Sequence, residues 1–164
     1  MNYLMDPLFD LGDDDEFAEL LAREEIRRSR TGESLAVAVL DIDGLKAINA
    51  AHGDTAGTDV LTLCAEALQR TLRSSDQSAR TGPDSFAVLL HATDSRSASV
   101  WADRFEDELE QLARDHPAAP ITCAVGMADT DEAESLPEAH VSAKRRMEVV
   151  QMMRKLRRAR DGET

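Results

Sequence analysis

Cysteine, aromatic residues and basic charge are all scarce in this sequence, and long apolar runs are missing from it. Only Cys64 and Cys123 occur, each inside an apolar periodic segment with no second Cys or His at ligand spacing. That pattern excludes a disulfide framework or a zinc site and leaves two buried thiols. Phe, Trp and Tyr make up 4% of the 164 residues, too few to anchor a helix in a membrane surface. Lys and Arg total 19 against 32 Asp and Glu, a formal net charge of -13 at pH 7, which argues against nucleic acid and anionic membranes as partners. No stretch approaches the roughly 20 apolar residues of a membrane span. Met1 to Asp10 also lacks a basic region followed by a hydrophobic core, so a cytoplasmic protein is expected. What remains, at 42% hydrophobic and 31% charged, has the make-up of one globular domain.

The charge is segregated. Asp13, Asp14, Asp15 and Glu16 open the chain as a helix N-terminus, where acids suit the macrodipole, and Phe17, Leu20 and Leu21 continue as an apolar stripe. Lys144, Arg145, Arg146, Arg154, Lys155, Arg157, Arg158 and Arg160 crowd the end, and the two ends are placed to attract each other. Leu35 to Asp43 reads as a buried strand that finishes in Asp41-Ile42-Asp43, and an Asp-x-Asp at a strand end invites a metal. Helices are predicted over 45–51 and about 58–73, the second carrying Val60, Cys64, Leu68 and Leu72 on one face. The turn sequence Thr81-Gly82-Pro83-Asp84 leads into a strand over 86–91, a β-hairpin. Trp101, Phe105, Leu109 and Leu112 mark another helix, Ile121, Cys123, Val125 and Met127 another strand, and a last helix covers about 136–160. The order predicts an antiparallel sheet with helices on one face, leaving the other free for a site.

Several of these segments resemble the GGDEF domain, the diguanylate cyclase family that condenses two GTP into cyclic di-GMP. Asp6, Leu8, Leu11 and Phe17 stand at the spacing of the family's opening D-x-L-T-G-L-x-N-R-R-x-F, without its Asn and both Arg. Asp41-Ile-Asp-Gly-Leu-Lys-Ala-Ile-Asn-Ala50 matches D-x-D-x-F-K-x-I-N-D except at Leu45 and Ala50, and Gly53 to Thr58 stands for G-H-x-x-G-D with Thr58 replacing the acid that faces guanine. The signature itself reads Gly82-Pro-Asp-Ser-Phe86. The resemblance implies an α+β fold, with a ferredoxin-like, palm-type antiparallel sheet.

It further implies Mg²⁺ held by Asp41, the Ile42 carbonyl and Asp84, to neutralise triphosphate charge and orient the attacking hydroxyl. Ser85, where the family has Glu, is a far poorer ligand, so metal binding is expected to be weak or absent. Pro83 fixes φ and removes an N–H in a turn built for glycine, and Gly82, Asn49 and Lys144 are left as vestigial nucleotide contacts. Losses in metal, turn and base recognition together argue against catalysis, with Asp84 and Ser85 as remnants. A second family feature is kept. R-x-x-D, an inhibitory site for cyclic di-GMP upstream of the signature, is present as Arg73-Ser-Ser-Asp76, and Arg104 matches the arginine that completes it. An arginine fork suits phosphate or a guanine edge, and a carboxylate suits guanine N–H groups.

The expectation is therefore a catalytically degenerate GGDEF domain acting as a cyclic di-GMP receptor or a regulatory protein-interaction module. The alternative is a weak diguanylate cyclase, which would require a homodimer to bring two GTP sites together. The division expected is an N-terminal segment and helix over 1–32, the degenerate domain over 33–146 and a basic helical extension over 147–164. In that extension Val149, Met152, Met153 and Leu156 form a stripe at helical spacing, able to dock a protein partner but expected to pack on its own domain, against the acidic first helix.

Overall fold

The computed structural model describes residues 12–162. Its elements are α1 (Asp14–Thr31), β1 (Ala36–Ile42), α2 (Leu45–His52), α3 (Asp54–Thr71), β2 (Gln77–Arg80), β3 (Ser85–Leu90), α4 (Ser95–Leu112), β4 (Cys123–Asp129) and α5 (Leu136–Gly162). The opening acids do what their position predicts. Asp13 caps α1 by accepting from the Glu16 backbone N–H at 2.9 Å, and the Glu16 carboxylate accepts from the Asp13 N–H at 3.1 Å, a reciprocal capping box. Asp6, Leu8 and Leu11 lie outside the described residues, whereas Phe17 is buried beneath α1.

The four strands order as β2-β3-β1-β4, every pair antiparallel. Alternation along β1 sends Ala36, Ala38, Leu40 and Ile42 to one face, where they pack with α3 and α4 residues such as Val60, Leu68, Trp101 and Phe105. Val37 and Val39 point to the other face, with Phe17 and Leu21 of α1 and Leu136, Ala139, Ala143 and Met147 of α5. Helices therefore cover both faces, not one as the element order suggested. The second face is closed because β4 presents Ala124, Gly126 and Ala128 there, small enough for α5 to lie directly on the sheet. The sheet end at the β1 C-terminus and the β2–β3 turn carries the acids Asp41, Asp43 and Asp84.

Cys64 on α3 and Cys123 on β4 are both buried and free, their Sγ atoms 3.7 Å apart. Burial and this mutual contact push the Cys123 thiol well up, so the pair behaves as packing. α1 and α5 do touch, but through the start of α5. Arg28 donates to the Glu134 carbonyl at 3.1 Å, and the Glu25 carboxylate accepts from the Leu136 N–H at 2.8 Å. The expected packing of the methionine stripe on this domain is not found. Val149, Met152, Met153 and Leu156 are each about 60% exposed, because they lie on the face of α5 opposite Met147, Val150 and Arg154, which keep to the domain. α5 is one continuous helix across residues 146 and 147. No helix among the described residues is long and apolar enough to cross a membrane.

Candidate functional site

Two places gather the residues singled out by sequence. The first is the end of β1. Asp41 pairs in register with Ser85 of β3, so both side chains rise on the α1/α5 face, with Asp84 beside them in the turn. The turn is held by its own chain. Thr81 N–H donates to the Ser85 carbonyl at 3.0 Å, and Arg80 donates from Nε to the Gly82 carbonyl at 3.2 Å and from Nη2 to the Pro83 carbonyl at 2.9 Å. Gly82 is not among the glycines in the left-handed region, so this turn does not use the freedom that glycine offers. Lys144 sits with Asp14, Thr81, Ser85, His140 and Met147 around an adjoining cavity of about 330 Å³.

Burial pushes the Asp41 carboxyl up to about 6, with the neighbouring Asp84 charge acting in the same direction and the Gln151 amide against it. Its Oδ1 is buried without a hydrogen-bond partner. Ser85 Oγ lies 3.5 Å from Asp84 Oδ1. Asp43 accepts from Thr122 Oγ1 at 2.7 Å and is ion-paired with Arg154 of α5. Mg²⁺, the metal of the family, needs several hard oxygens converging on one point. Among the described residues no group of three or more His, Cys, Asp or Glu side chains is arranged to hold a metal. Ser85 offers only a hydroxyl where the resemblance expects a carboxylate, and Asp43, next to the expected set, is taken up by Arg154, so the residues as arranged fit a resident divalent ion poorly.

The raised Asp41 has a pH consequence. A carboxyl that titrates near 6 when folded and near 3.8 otherwise binds more protons in the native state, so its ionisation costs stability as pH climbs through that interval. Asp41→Asn is expected to raise stability by about 1 kcal/mol near neutrality, allowing for partial solvent screening, and by much less near pH 4. Thermal unfolding at the two pH values checks this, and an equal effect at both would contradict it.

The residues that the resemblance sets toward guanine are Asn49 and Thr58. Asn49 on α2 packs on Gly57 of α3 so closely that a Cβ there would fall 1.8 Å from its Oδ1, which is buried and has no partner. Thr58 Oγ1 donates back to the Asp54 carbonyl at 3.2 Å and has no charge to offer a base.

The second place lies on the α3/α4 side. Arg73, Asp76 and Arg104 line one cavity of about 320 Å³, with Trp101, Val100 and Leu90 as its apolar wall. Asp76, its side chain 2% exposed, is fully engaged: Oδ1 accepts from His91 N–H at 3.0 Å, and Oδ2 accepts from Arg73 N–H at 2.9 Å and Arg73 Nε at 3.3 Å. Its carboxylate thus ties the Arg73 backbone and side chain to the start of the hairpin. The Arg73 guanidinium, 56% exposed, also donates to Thr93 Oγ1 at 3.0 Å and to the His91 carbonyl. Arg104 reaches the rim from α4 and donates to the Thr71 carbonyl at 3.2 Å. Trp101, one helical turn before Arg104, stacks on Phe105 at 5.7 Å between ring centroids, and its Nε1 is buried without a partner. Trp101 is core, as its stripe predicts, and also lines this cavity. Its i, i+3 spacing to Arg104 was the available signal that it shares the cavity face. Gln151 and Arg154 were also missed, their only mark being that a basic helix continues beyond Lys144.

These features, an antiparallel sheet carrying acids at a strand end and at the adjoining hairpin turn, define an α+β nucleotidyl cyclase-like fold. The family described as "Diguanylate cyclase, GGDEF domain" matches residues 3–155, and the chain belongs to it. Among curated relatives it is 37% identical over 126 residues to diguanylate cyclase DgcP of Pseudomonas aeruginosa, covering 76% of this chain and 19% of that protein. Against diguanylate cyclase DgcS of Shewanella oneidensis identity is 28%, over 84% of this chain and 47% of the relative. The chain thus spans between about a fifth and a half of these relatives. In structure it is similar to diguanylate cyclase SiaD of P. aeruginosa, solved with its activator SiaC (TM-score 0.80, 28% identity, 92% of this chain and 59% of that one). The DgcB GGDEF domain of Caulobacter crescentus, solved with cyclic di-GMP, shares the fold at TM-score 0.74 and 22% identity, over 87% of this chain and 86% of that one.

Proposed function

We propose that this chain is a GGDEF domain without appreciable cyclase activity, and that it binds cyclic di-GMP at the cavity of Arg73 and Arg104. The observation that carries the reading is the convergence of two arginines from separate elements, α4 and the loop after α3, on one cavity with an indole in its wall. Cyclic di-GMP is a dianion with two purine faces. Arginine forks can take its phosphates or guanine edges, and their planes can stack on the bases. Asp76 holds Arg73 at the rim. Against catalysis stand Ser85 and Pro83 in the signature, Thr58 at the guanine corner and the unsuitability of the carboxylate set for a divalent ion.

Titration calorimetry is expected to give saturable binding of cyclic di-GMP at micromolar levels, lost in Arg73→Ala and weakened about tenfold or more in Arg104→Ala. Trp101 is the only tryptophan in the sequence and lines the cavity, so its fluorescence reports the same event. Incubation with GTP and Mg²⁺ or Mn²⁺ is expected to yield no cyclic di-GMP. Product that disappears in Asp84→Ala would establish the weak cyclase instead. Absence of any binding would leave the interaction module, a reading supported by the exposed stripe Val149, Met152, Met153 and Leu156.

A further inference from the structure

α5 is anchored on the sheet as far as Met147 and half-buried at Val150, and its following turns pass over the end of β1. Gln151 lies against Asp41. One turn on, Arg154 ion-pairs with Asp43 and donates from Nη1 to the Cys123 carbonyl at 2.8 Å. A further turn on, Arg158 brings Nη1 to 4.0 Å from where a side chain at Gly44 would begin. Residues 151, 154 and 158 recur at i, i+3 and i+7, on one face of the helix, with Val149, Met153 and Leu156 on the opposite face. The Asp43 side chain is 6% exposed and Arg154 33%, so the pair is largely withdrawn from water. Glu106, Asp107 and Glu110 of α4 line a cavity together with Arg154, and Glu106 feels its charge.

Asp41, Asp43 and Asp84 thus gather at one end of the sheet, where α5 sets Arg154 on Asp43 and Gln151 against Asp41. We propose that Arg154 is a resident cation at this corner: with Gln151 beside it, the end of α5 occupies the place a divalent ion would need and keeps such ions out. A guanidinium stays charged at all working pH and bonds the carboxylate and the Cys123 carbonyl together, which a hydrated ion could do only by losing water. It is also tethered by a helix fixed to the sheet, so it competes with a free ion at high effective concentration. The poor fit of the carboxylate set to a metal has its cause here as much as in Ser85. The inference does not depend on cyclic di-GMP binding, which concerns the other side of the sheet.

The test is calorimetric titration of Mn²⁺ alone, and then of Mg²⁺ alone, into the full chain. The wild type is expected to give no saturable binding at millimolar ion. Arg154→Met keeps the aliphatic length of the side chain but removes the charge, and is expected to gain a saturable Mn²⁺ site, at least about tenfold tighter than any wild-type signal. Adding Asp41→Asn should abolish that gain, and Arg154→Lys should remain closed. Asp43→Asn, which releases Arg154 without shortening α5, offers a second opening should the first variant fold poorly by circular dichroism. Wild-type binding as tight as that of Arg154→Met, or no gain in a folded Arg154→Met or Asp43→Asn, would overturn the proposal.

Discussion

Gly126→Ala is expected to destabilise the protein by about 3 kcal/mol or more, the largest effect of any single methyl group added to this fold. A Cβ at Gly126 would lie 2.0 Å from the Ala143 carbonyl oxygen and 2.2 Å from the Met147 backbone N. Both are main-chain atoms of a helix, so no rotamer change relieves the overlap, and α5 must lift from β4 or the strand must bend. Either movement opens the contacts of Leu136, Ala139, Ala143 and Met147 with Val37, Val39 and Phe17. It also shifts Gln151 and Arg154 relative to Asp41 and Asp43. Urea unfolding measures the loss, with Gly162→Ala, where nothing lies within 4 Å, as the comparison expected to change little. Near-equal midpoints for the two variants would mean that α5 does not sit on β4 as described.

Asp76→Ala is expected to cost about 3 kcal/mol, from a buried charge-assisted cluster at the start of the hairpin. The carboxylate is the acceptor for the backbone N–H groups of Arg73 and His91 and for the Arg73 side chain. Deleting it leaves the Arg73 and His91 main-chain donors without their acceptor, the second of them part-buried. Asp76→Asn retains one acceptor oxygen and should cost about half as much. In that milder variant the chain stays folded while Arg73 loses its ionic tether, so cyclic di-GMP binding should weaken even though Arg73 is intact. Binding unchanged in Asp76→Asn would mean that Asp76 serves the turn alone and does not position Arg73.

Much of the architecture was legible because its signals are local. The capping acids, the alternation of β1 and the hairpin turn are each decided within a few residues, and the matched motifs located the strand end with Asp41 and the hairpin turn with Asp84 and Ser85. The covering of the second sheet face was not legible. It depends on Ala124, Gly126 and Ala128 being small on the same side as an otherwise highly charged helix, a match between segments distant in sequence. The methionine stripe follows the same logic: its period is helical, but α5 turns its other face, Met147, Val150 and Arg154, to the domain.

Sequence by itself determined the family, the antiparallel hairpin fold and the presence of Ser85 and Pro83 in the turn, since these are properties of residue type and spacing. Tertiary structure alone decided that Arg73, Arg104 and Trp101 share a cavity, that Asp76 is engaged internally, and that Arg154 reaches Asp43 from 111 positions away. Such pairings arise from the path of α5 and α4 across a twisted sheet, and a carboxylate's partner is set by distance in space, which spacing along the chain does not encode.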